Sequence, residues 1–320
     1  MSNLERSPTL STSTDDRGAE PATSGAPELL SARDVDLGEG MPVRRLLPKR
    51  GHTTVGPWCF ADHFGPLDAA AGTGLRVPPH PHTTLQTVTW LLEGTVLHRD
   101  SLGSEQLIRP GQLNLMTAGP GIAHSEESPP QRPAVLHGVQ LWTALPTGTD
   151  AAPAFDHLPE LPVASTSGLR LTVLMGELLG ARSPATTYSP VVGADVAAAA
   201  ATDDDLPLRP DFEHAVMALT GPAVVDGAAI EPGRMAYLAP GRSHVAIRTT
   251  GPARLLLIGG APFGERIIMW WNFVAHTYEE LAAAHVDWQA GGERFGKVRC
   301  YPYGPRLEAP PLPPGRLRPR

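Results

Sequence analysis

Cysteine, lysine and long apolar runs are scarce in this 320-residue sequence. The two cysteines, Cys59 and Cys300, are too few for a disulfide scaffold or a cysteine-rich zinc site. Lysine occurs only at positions 49 and 297, and the formal net charge of −7 excludes a globally basic protein that binds nucleic acid through its phosphates. No stretch of about 18 apolar residues predicts a membrane-spanning helix, and the charged first residues lack the apolar core of a signal peptide. We therefore expect a cytoplasmic protein without direct contacts to nucleic acid or membranes.

Glycine and proline are abundant instead, with 33 and 35 residues. Both interrupt helices, so a helical bundle or coiled coil is disfavoured and short strands joined by turns are favoured. Residues 85–92 are rich in β-branched and aromatic side chains and end at the turn signal Glu93-Gly94. Residues 95–100 follow as a second strand. This succession of short strands and turns predicts an all-β sandwich or barrel.

The second half of the sequence repeats the layout of the first. The segment HAVMALTG (214–221) has the form of TVTWLLEG (87–94), and GRSH (241–244) occupies the place of GIAH (121–124). A repeated all-β unit predicts two similar barrels in one chain. The predicted plan is a disordered arm, a first barrel, a linker region, a second barrel with a helix, and a Pro-rich tail, at residues 1–27, 28–180, 181–210, 211–308 and 309–320.

One helix is predicted near the end of the second barrel. Thr277 and Glu280 have the Thr-x-x-Glu form of a capping box, and Gly291-Gly292 ends the run. Large side chains recur at helical spacing, at Tyr278, Leu281, His285 and Trp288. We expect this face of the helix to pack against a barrel.

Two short motifs, HPH at 80–82 and HSE at 124–126, carry the candidate chemistry. Side chains at positions i and i+2 of a strand point to the same face, so each motif sends two potential ligands to one side. Two such strands facing each other inside a barrel would bring together three imidazoles and a carboxylate, a set suited to a divalent metal ion. On spacing alone, the same residues are also compatible with hydrogen-bonded polar groups that bind no ion.

The sequence resembles the pirin family of the cupin superfamily from about residue 40 to 310. Besides the two motifs, the resemblance rests on ADHFGP (61–66), HRDSLGSEQLIRPG (98–111), MTAGPG (116–121), HGVQLW (137–142) and WWNFVAHTYEEL (270–281). It implies an all-β fold of two cupin β-barrels, a bicupin, packed face to face with a short C-terminal helix. It also implies one divalent metal ion, usually iron, in the first barrel.

Carried over position by position, the family pattern makes His80, His82, His124 and Glu126 the metal ligands. Gln86 stands where other cupins place a ligating Glu, and as a neutral amide it is a poor ligand. Histidine and carboxylate ligands also accept Mn, Co, Ni, Cu or Zn, so these ligand types do not specify the native metal.

The second barrel lacks the corresponding ligands. Pro207 and Arg209 align with the two histidines of HPH, and Ala246 aligns with the Glu of HSE. His244 matches the remaining histidine, but a single imidazole is too few ligands for a metal site. We therefore expect no metal in the second barrel.

Other residues in the family stretches are expected to have structural roles. His63 and His98 are expected to make structural hydrogen bonds. Trp270 and Trp271 are expected to anchor the core between the barrels.

The resemblance implies two alternative functions. Some pirins are flavonol dioxygenases, which open the ring of quercetin with O₂ and release CO. Glu126 would then act as the general base that takes the proton of the 3-hydroxyl group. Other family members bind proteins, so the alternative is a metal-dependent, redox-sensing regulator whose partner is a transcription regulator or a metabolic enzyme. We expect a monomer.

Overall fold

The computed structural model describes residues 11–12, 25–36, 41–70, 74–317 and 319. These residues form β-strands with one α-helix, α1 (Tyr278–Ala290), and a 3-10 turn at Glu293–Phe295. No helix in the described part of the chain is long and apolar enough to cross a membrane. The strands before residue 150 are β1 (Ser11–Thr12), β2 (Glu28–Ser31), β3 (Arg33–Asp36), β4 (Pro42–Leu47), β5 (Trp58–Asp68), β6 (Arg76–His82), β7 (Leu85–Glu93), β8 (Val96–Asp100), β9 (Glu105–Ile108), β10 (Leu113–Thr117), β11 (Ile122–Glu127) and β12 (Val135–Ala144). The later strands are β13 (Ala154–Leu158), β14 (Val163–Ser165), β15 (Leu169–Leu178), β16 (Ala181–Arg182), β17 (Val191–Ala198), β18 (Thr202–Pro207), β19 (Glu213–Thr220), β20 (Ala223–Val225), β21 (Ala228–Ile230), β22 (Arg234–Leu238), β23 (His244–Thr249), β24 (Ala253–Gly260), β25 (Ile268–Trp270) and β26 (Phe273–Ala275).

The strands form two barrels with the same layout. The N-terminal barrel combines a sheet in the order β13-β10-β7-β12-β5-β4-β3 with a sheet in the order β6-β11-β8-β9. The C-terminal barrel combines β14-β15-β17-β24-β19-β22-β2 with β18-β23-β20-β21. The strands that carry the repeated motifs correspond, since β11 and β23 are each the second strand of a four-stranded sheet. The predicted all-β fold of two similar barrels is confirmed.

The larger sheets of the two barrels pack face to face. Side chains of β7 alternate, so that Thr89 points into its own barrel while its neighbours on either side face the other barrel. Trp58 Nε1 donates hydrogen bonds across the interface to the carbonyl oxygens of Val192 and Gly259, both at 3.1 Å. The buried cluster between the sheets draws on both barrels, for example Val88, Trp90, Met217 and Ile258.

The boundary between the barrels differs from the predicted one. Strand β2 pairs with β22 of the C-terminal barrel, whereas β3 pairs with β4 of the N-terminal barrel. The linker predicted at 181–210 is wrong, because β17 is a buried strand between β15 and β24, and β18 pairs with β23. Its acidic residues are misleading as a linker signal, since Asp203 and Asp205 are exposed side chains on the strand β18.

The two predicted ends of the chain are described in part. The arm predicted as disordered at 1–27 lies outside the described residues, apart from 25–27 and from 11–12, which pair with β25 as strand β1. The Pro-rich tail packs against the helix, because His285 Nε2 donates to the carbonyl oxygen of Pro310 at 2.9 Å and Leu317 is buried.

Helix α1 begins and ends at the predicted residues. The Thr277 hydroxyl accepts a hydrogen bond from the backbone N–H of Glu280 at 3.2 Å, and the Glu280 carboxylate accepts one from the backbone N–H of Thr277 at 3.3 Å. Gly291 ends the helix with a φ of 68°, in the left-handed region that favours glycine. Leu281, Ala284 and Trp288 form the buried face.

The segment that precedes the helix returns to the N-terminal barrel. Trp270 and Trp271 pack with α1 and with Ala123 of β11, and they are absent from the described cluster between the barrels. Their predicted role in the inter-barrel core is therefore wrong, because apolar side chains do not specify which surface they will cover. The hydroxyl of Thr83, just after β6, donates a hydrogen bond to the Val274 carbonyl oxygen at 2.9 Å, and the backbone carbonyl oxygen of Thr83 accepts one from the Val274 N–H at 3.3 Å.

We expect the replacement Thr277→Ala to lower the free energy of unfolding by about 1 kcal/mol, because the N-cap hydroxyl and the geometry of the capping box are lost. Urea unfolding followed by circular dichroism measures this change. Thr250→Ala, at an exposed threonine, is the control and should change little. Equal stability of the two variants would show that the cap contributes nothing.

Candidate metal centre

The two histidine motifs lie on neighbouring antiparallel strands. β6 carries His80 and His82, and β11 carries His124, which pairs directly with His80. β6 is the edge strand of its sheet, and proline is tolerated at an edge because the outer side needs no ladder N–H. On that side, the carbonyl oxygen of Pro79 accepts a hydrogen bond from the Leu307 N–H at 2.8 Å. The C-terminal segment thus holds the edge that carries two histidines.

The three imidazoles converge on one point inside the barrel. One ligand nitrogen from each of His80, His82 and His124 lies within 4.8 Å of the other two. The Nε2 atoms of His82 and His124 lie 3.1 Å apart. All three side chains are fully buried, with no exposed surface. The spacing of two on β6 and the pairing of β6 with β11 thus bring the three histidines together.

Backbone carbonyl groups fix the tautomers of two of the histidines. His80 Nδ1 lies 2.8 Å from the carbonyl oxygen of Pro78, and His82 Nδ1 lies 2.9 Å from that of Asn272. A carbonyl oxygen only accepts hydrogen bonds, so each Nδ1 carries the proton. In the neutral imidazole, Nε2 then presents its lone pair to the common point.

The histidines are held in the neutral form. Burial lowers the pKa of His80 to about 4. Burial, followed by the positive charge that neighbouring His80 would carry, places the pKa values of His82 and His124 well below the usual value. Neutral imidazole is the form of histidine that binds metal ions.

These donors fit a divalent transition metal ion. Two nitrogen ligands at right angles, each about 2.1 Å from an ion, lie about 3 Å apart. The 3.1 Å between the Nε2 atoms of His82 and His124 matches this separation. A buried group of lone pairs with no cation between them would be electrostatically unfavourable.

Glu126 lies two residues after His124 on β11 and is buried. The pairing of β11 with β6 shifts register between these two residues, so that Glu126 pairs with Val77. Among the described residues, the ligand atoms of the three histidines all lie within 4.8 Å of one another, and Glu126 is not part of this group. Its assignment as a fourth ligand stays a prediction.

Thr89 and Gln140, which the sequence interpretation did not single out, lie beside Glu126. Thr89 Oγ1 is 3.4 Å from Glu126 Oε1 and 2.9 Å from the amide oxygen of Gln140. A threonine hydroxyl has one proton to donate. If the Gln140 amide is turned by 180°, its NH₂ group, otherwise unpartnered among the described residues, donates to Thr89 and leaves the Thr89 proton for Glu126. A polar residue between Val88 and Trp90 in a buried strand is the sequence signal for this position.

His98 on β8 makes hydrogen bonds, as predicted. Its Nδ1 lies 3.4 Å from His124 Nδ1, and its Nε2 lies 3.2 Å from Asp100 Oδ2. The ring stacks on Phe155 with the centroids 4.2 Å apart. Burial would raise the pKa of Asp100, but hydrogen bonds from His98 and from Ser104 hold it below its usual value. Asp100 is therefore an ionised carboxylate.

His63 lies in a separate buried pair on the other side of the barrel wall. Its Nε2 is 2.8 Å from the Nε2 of His137, so His63 also makes a hydrogen bond, as expected, although the sequence did not indicate the partner. Burial, reinforced by the charge of Arg44, lowers the pKa of His63 to about 3 and that of His137 to about 4. The pair contacts none of the three converging histidines through a described hydrogen bond.

Gln86 does not take part in the site. Its amide donates hydrogen bonds to Thr117 Oγ1 at 3.0 Å and to the backbone oxygen of Thr186 at 3.1 Å. In the second barrel, His244 is exposed beside Ser243. The absence of metal from that barrel stays a prediction.

An aromatic wall adjoins the histidines. The rings of Phe60 and Trp142 are stacked with centroids 4.0 Å apart, and Trp142 meets the His82 ring edge-on at 5.0 Å. The surrounding buried side chains are apolar and include Leu85, Met116 and Ile122. Such a wall favours planar aromatic groups and excludes water.

Comparisons with known proteins agree with this architecture. The pirin family model matches residues 40–143, and the model of the pirin C-terminal cupin domain matches residues 193–296. A Pseudomonas aeruginosa protein named "Putative quercetin 2,3-dioxygenase" is 47% identical over 98% of both chains, and a "Pirin-like protein" of Caulobacter vibrioides is 38% identical over 82% of this chain and 93% of its own. The crystal structure of quercetin 2,3-dioxygenase from Acinetobacter baumannii matches with a TM-score of 0.88 and 44% identity, over 92% of this chain and 98% of that one.

Proposed function

The chain belongs to the pirin family of the cupin superfamily, and on that premise we propose that it is a metal-dependent dioxygenase that opens the ring of a flavonol such as quercetin. The observation that carries the proposal is the convergence of three buried, neutral imidazoles beside an aromatic wall. The names of the similar proteins support the substrate class. Iron(II) is the proposed native ion, although the same ligands suit Mn, Co, Ni, Cu or Zn.

His80, His82 and His124 would hold the ion through nitrogen, and Glu126 would add a carboxylate. A bound divalent ion supplies Lewis acidity, which lowers the pKa of a substrate hydroxyl that reaches it. Because the three imidazoles are neutral, they leave the positive charge of the ion undiminished, and one carboxylate reduces it by one unit. This charge favours an anionic oxygen of the substrate over a neutral one.

Glu126 is the proposed general base. It is buried, so no bulk water competes for the proton of the 3-hydroxyl group. With the Gln140 amide turned to donate to Thr89, the Thr89 hydroxyl donates to Glu126 Oε1 and orients the carboxylate. Loss of the 3-hydroxyl proton makes the flavonol electron-rich enough to react with O₂, which gives the ring-opened ester and CO.

The apolar wall positions the substrate and excludes water from the site of the reaction. Trp142, backed by the stacked ring of Phe60, offers a flat, rigid aromatic surface next to His82. A planar polyphenol gains from stacking there, and exclusion of water strengthens the electrostatic effects at the site.

Loading the metal-free protein with each candidate ion and following O₂ uptake with quercetin tests this proposal. We expect one ion, iron(II), to give the fastest uptake, and His124→Ala to abolish it. Equal rates with and without protein for every ion would overturn the proposed activity.

The Thr89→Val replacement is expected to lower kcat for quercetin about tenfold, because a hydrogen bond to a charged group is lost without a change in side-chain volume. The metal content should stay that of the native protein, since the three imidazoles are untouched. The matched control is Thr95→Val, which removes a threonine hydroxyl that has no hydrogen-bond partner among the described residues. If both variants turn over quercetin at the native rate, Thr89 does not orient the base.

A further inference from the structure

His124 differs from the other two histidines in how its proton is fixed. Backbone carbonyl oxygens accept the Nδ1 protons of His80 and His82, but the described contact of His124 Nδ1 is with the side chain of His98, at 3.4 Å. His98 in turn contacts Asp100 Oδ2 at 3.2 Å through its other nitrogen. The three side chains lie on adjacent strands, since β11 pairs with β8 and places His124 opposite Asp100.

The direction of each hydrogen bond in the series Asp100–His98–His124 follows from the carboxylate of Asp100. Asp100 is an acceptor only, so the proton between Asp100 and His98 belongs to His98 Nε2. In the neutral imidazole, His98 Nδ1 then has a lone pair and accepts a proton from His124 Nδ1. His124 is left with a lone pair on Nε2, the atom that faces His82.

We propose that Asp100 and His98 form a positioning dyad that sets the tautomer of His124, so that all three histidines present Nε2 to the metal ion. The dyad rests on the metal centre of the proposed function and extends it to residues that do not touch the ion. Asp100 and His98 are both buried, and the Phe155 ring fixes the plane of His98. Outer groups of this kind orient metal-binding histidines and raise their basicity.

The turn after β8 pins the orientation of the Asp100 carboxylate. Its Oδ1 atom accepts hydrogen bonds from the backbone N–H groups of Leu102 and Ser104, at 2.9 and 3.0 Å. In an Asp100→Asn variant, the amide oxygen keeps this place and the NH₂ group must face His98 Nε2. His98 can accept that hydrogen bond only by moving its own proton to Nδ1. His124 Nδ1 then has to accept, and its proton moves to Nε2.

The experiment is to record imidazole ¹⁵N chemical shifts of the metal-free protein and to measure its affinity for Ni²⁺ by calorimetry with a competing chelator. For Asp100→Asn, we expect His124 to change from the Nδ1–H to the Nε2–H tautomer and the Ni²⁺ affinity to fall about 10- to 100-fold. The melting temperature should change little, because the turn keeps both backbone hydrogen bonds. An unchanged His124 tautomer in a folded Asp100→Asn variant would overturn the proposal.

A charge control and a pair of His98 variants separate positioning from packing. Glu105→Gln removes one negative charge from β9 at an exposed residue that bonds only Arg99 in the described contacts, and it should leave the Ni²⁺ affinity unchanged. His98→Asn keeps a hydrogen-bond acceptor close to the position of Nδ1, whereas His98→Leu keeps only an apolar side chain that packs against Phe155. We expect His98→Asn to bind Ni²⁺ more tightly than His98→Leu, and the reverse order would contradict the dyad. Turnover of quercetin is not a readout here, so failure of the dyad and failure of the enzyme proposal remain distinct.

Discussion

Replacement of His82 by alanine is expected to weaken metal binding by more than about 100-fold while the barrels stay folded. His82 lies 3.1 Å from His124 and faces the common point, so its loss leaves two of three imidazole ligands. The effect should exceed that of altering an outer group, which typically costs about 10- to 100-fold. The two large apolar cores are built from other residues, so the fold should persist. Metal analysis after loading, with circular dichroism on the same samples, measures both quantities.

The matched control is His244→Ala in the C-terminal barrel. His244 is exposed and contacts Ser243, so its loss should leave the metal content unchanged. A halved metal content would instead place an ion in the second barrel. Full metal occupancy in His82→Ala would contradict the assignment of the histidines as ligands.

Glu126→Gln is expected to reduce kcat for quercetin by about 10²- to 10⁴-fold, the usual contribution of a general base. The substitution keeps the side-chain length and an oxygen that can accept from Thr89, but the neutral amide cannot take a proton at neutral pH. Metal affinity should fall less than in His82→Ala, because the imidazoles remain. Steady-state O₂ uptake and metal analysis on the same preparation separate the two effects.

Two other results for Glu126→Gln would change the interpretation. Native turnover would remove Glu126 from the catalytic step. Loss of metal as complete as in His82→Ala would make Glu126 mainly a ligand, and the base would have to be sought elsewhere.

The site histidines could be predicted because local geometry determines their placement. A strand repeats every two residues, so His80 and His82 must share a face wherever the strand lies. The same holds for the capping box of Thr277 and Glu280, whose hydrogen bonds span three residues. The family resemblance, now confirmed, then supplied the pairing of the two motifs.

The groups that fix the proton positions could not be predicted. The carbonyl oxygen of Asn272 lies 190 residues from His82 and arrives because Trp270 and Trp271 fold back onto the N-terminal barrel. Apolar side chains indicate burial but not the surface that buries them. The predicted linker failed for a similar reason, because an acidic strand and a loop have similar composition, and only the pairing of β18 with β23 distinguishes them.

CO release from quercetin in air by the iron(II)-loaded protein, compared with that by His124→Ala, distinguishes a dioxygenase from a regulator. We expect the protein to consume O₂ and release CO in equal amounts, and we expect His124→Ala to do neither. A native protein that holds its ion but leaves quercetin unchanged would contradict the dioxygenase and favour a metal-dependent regulator that acts through a protein partner.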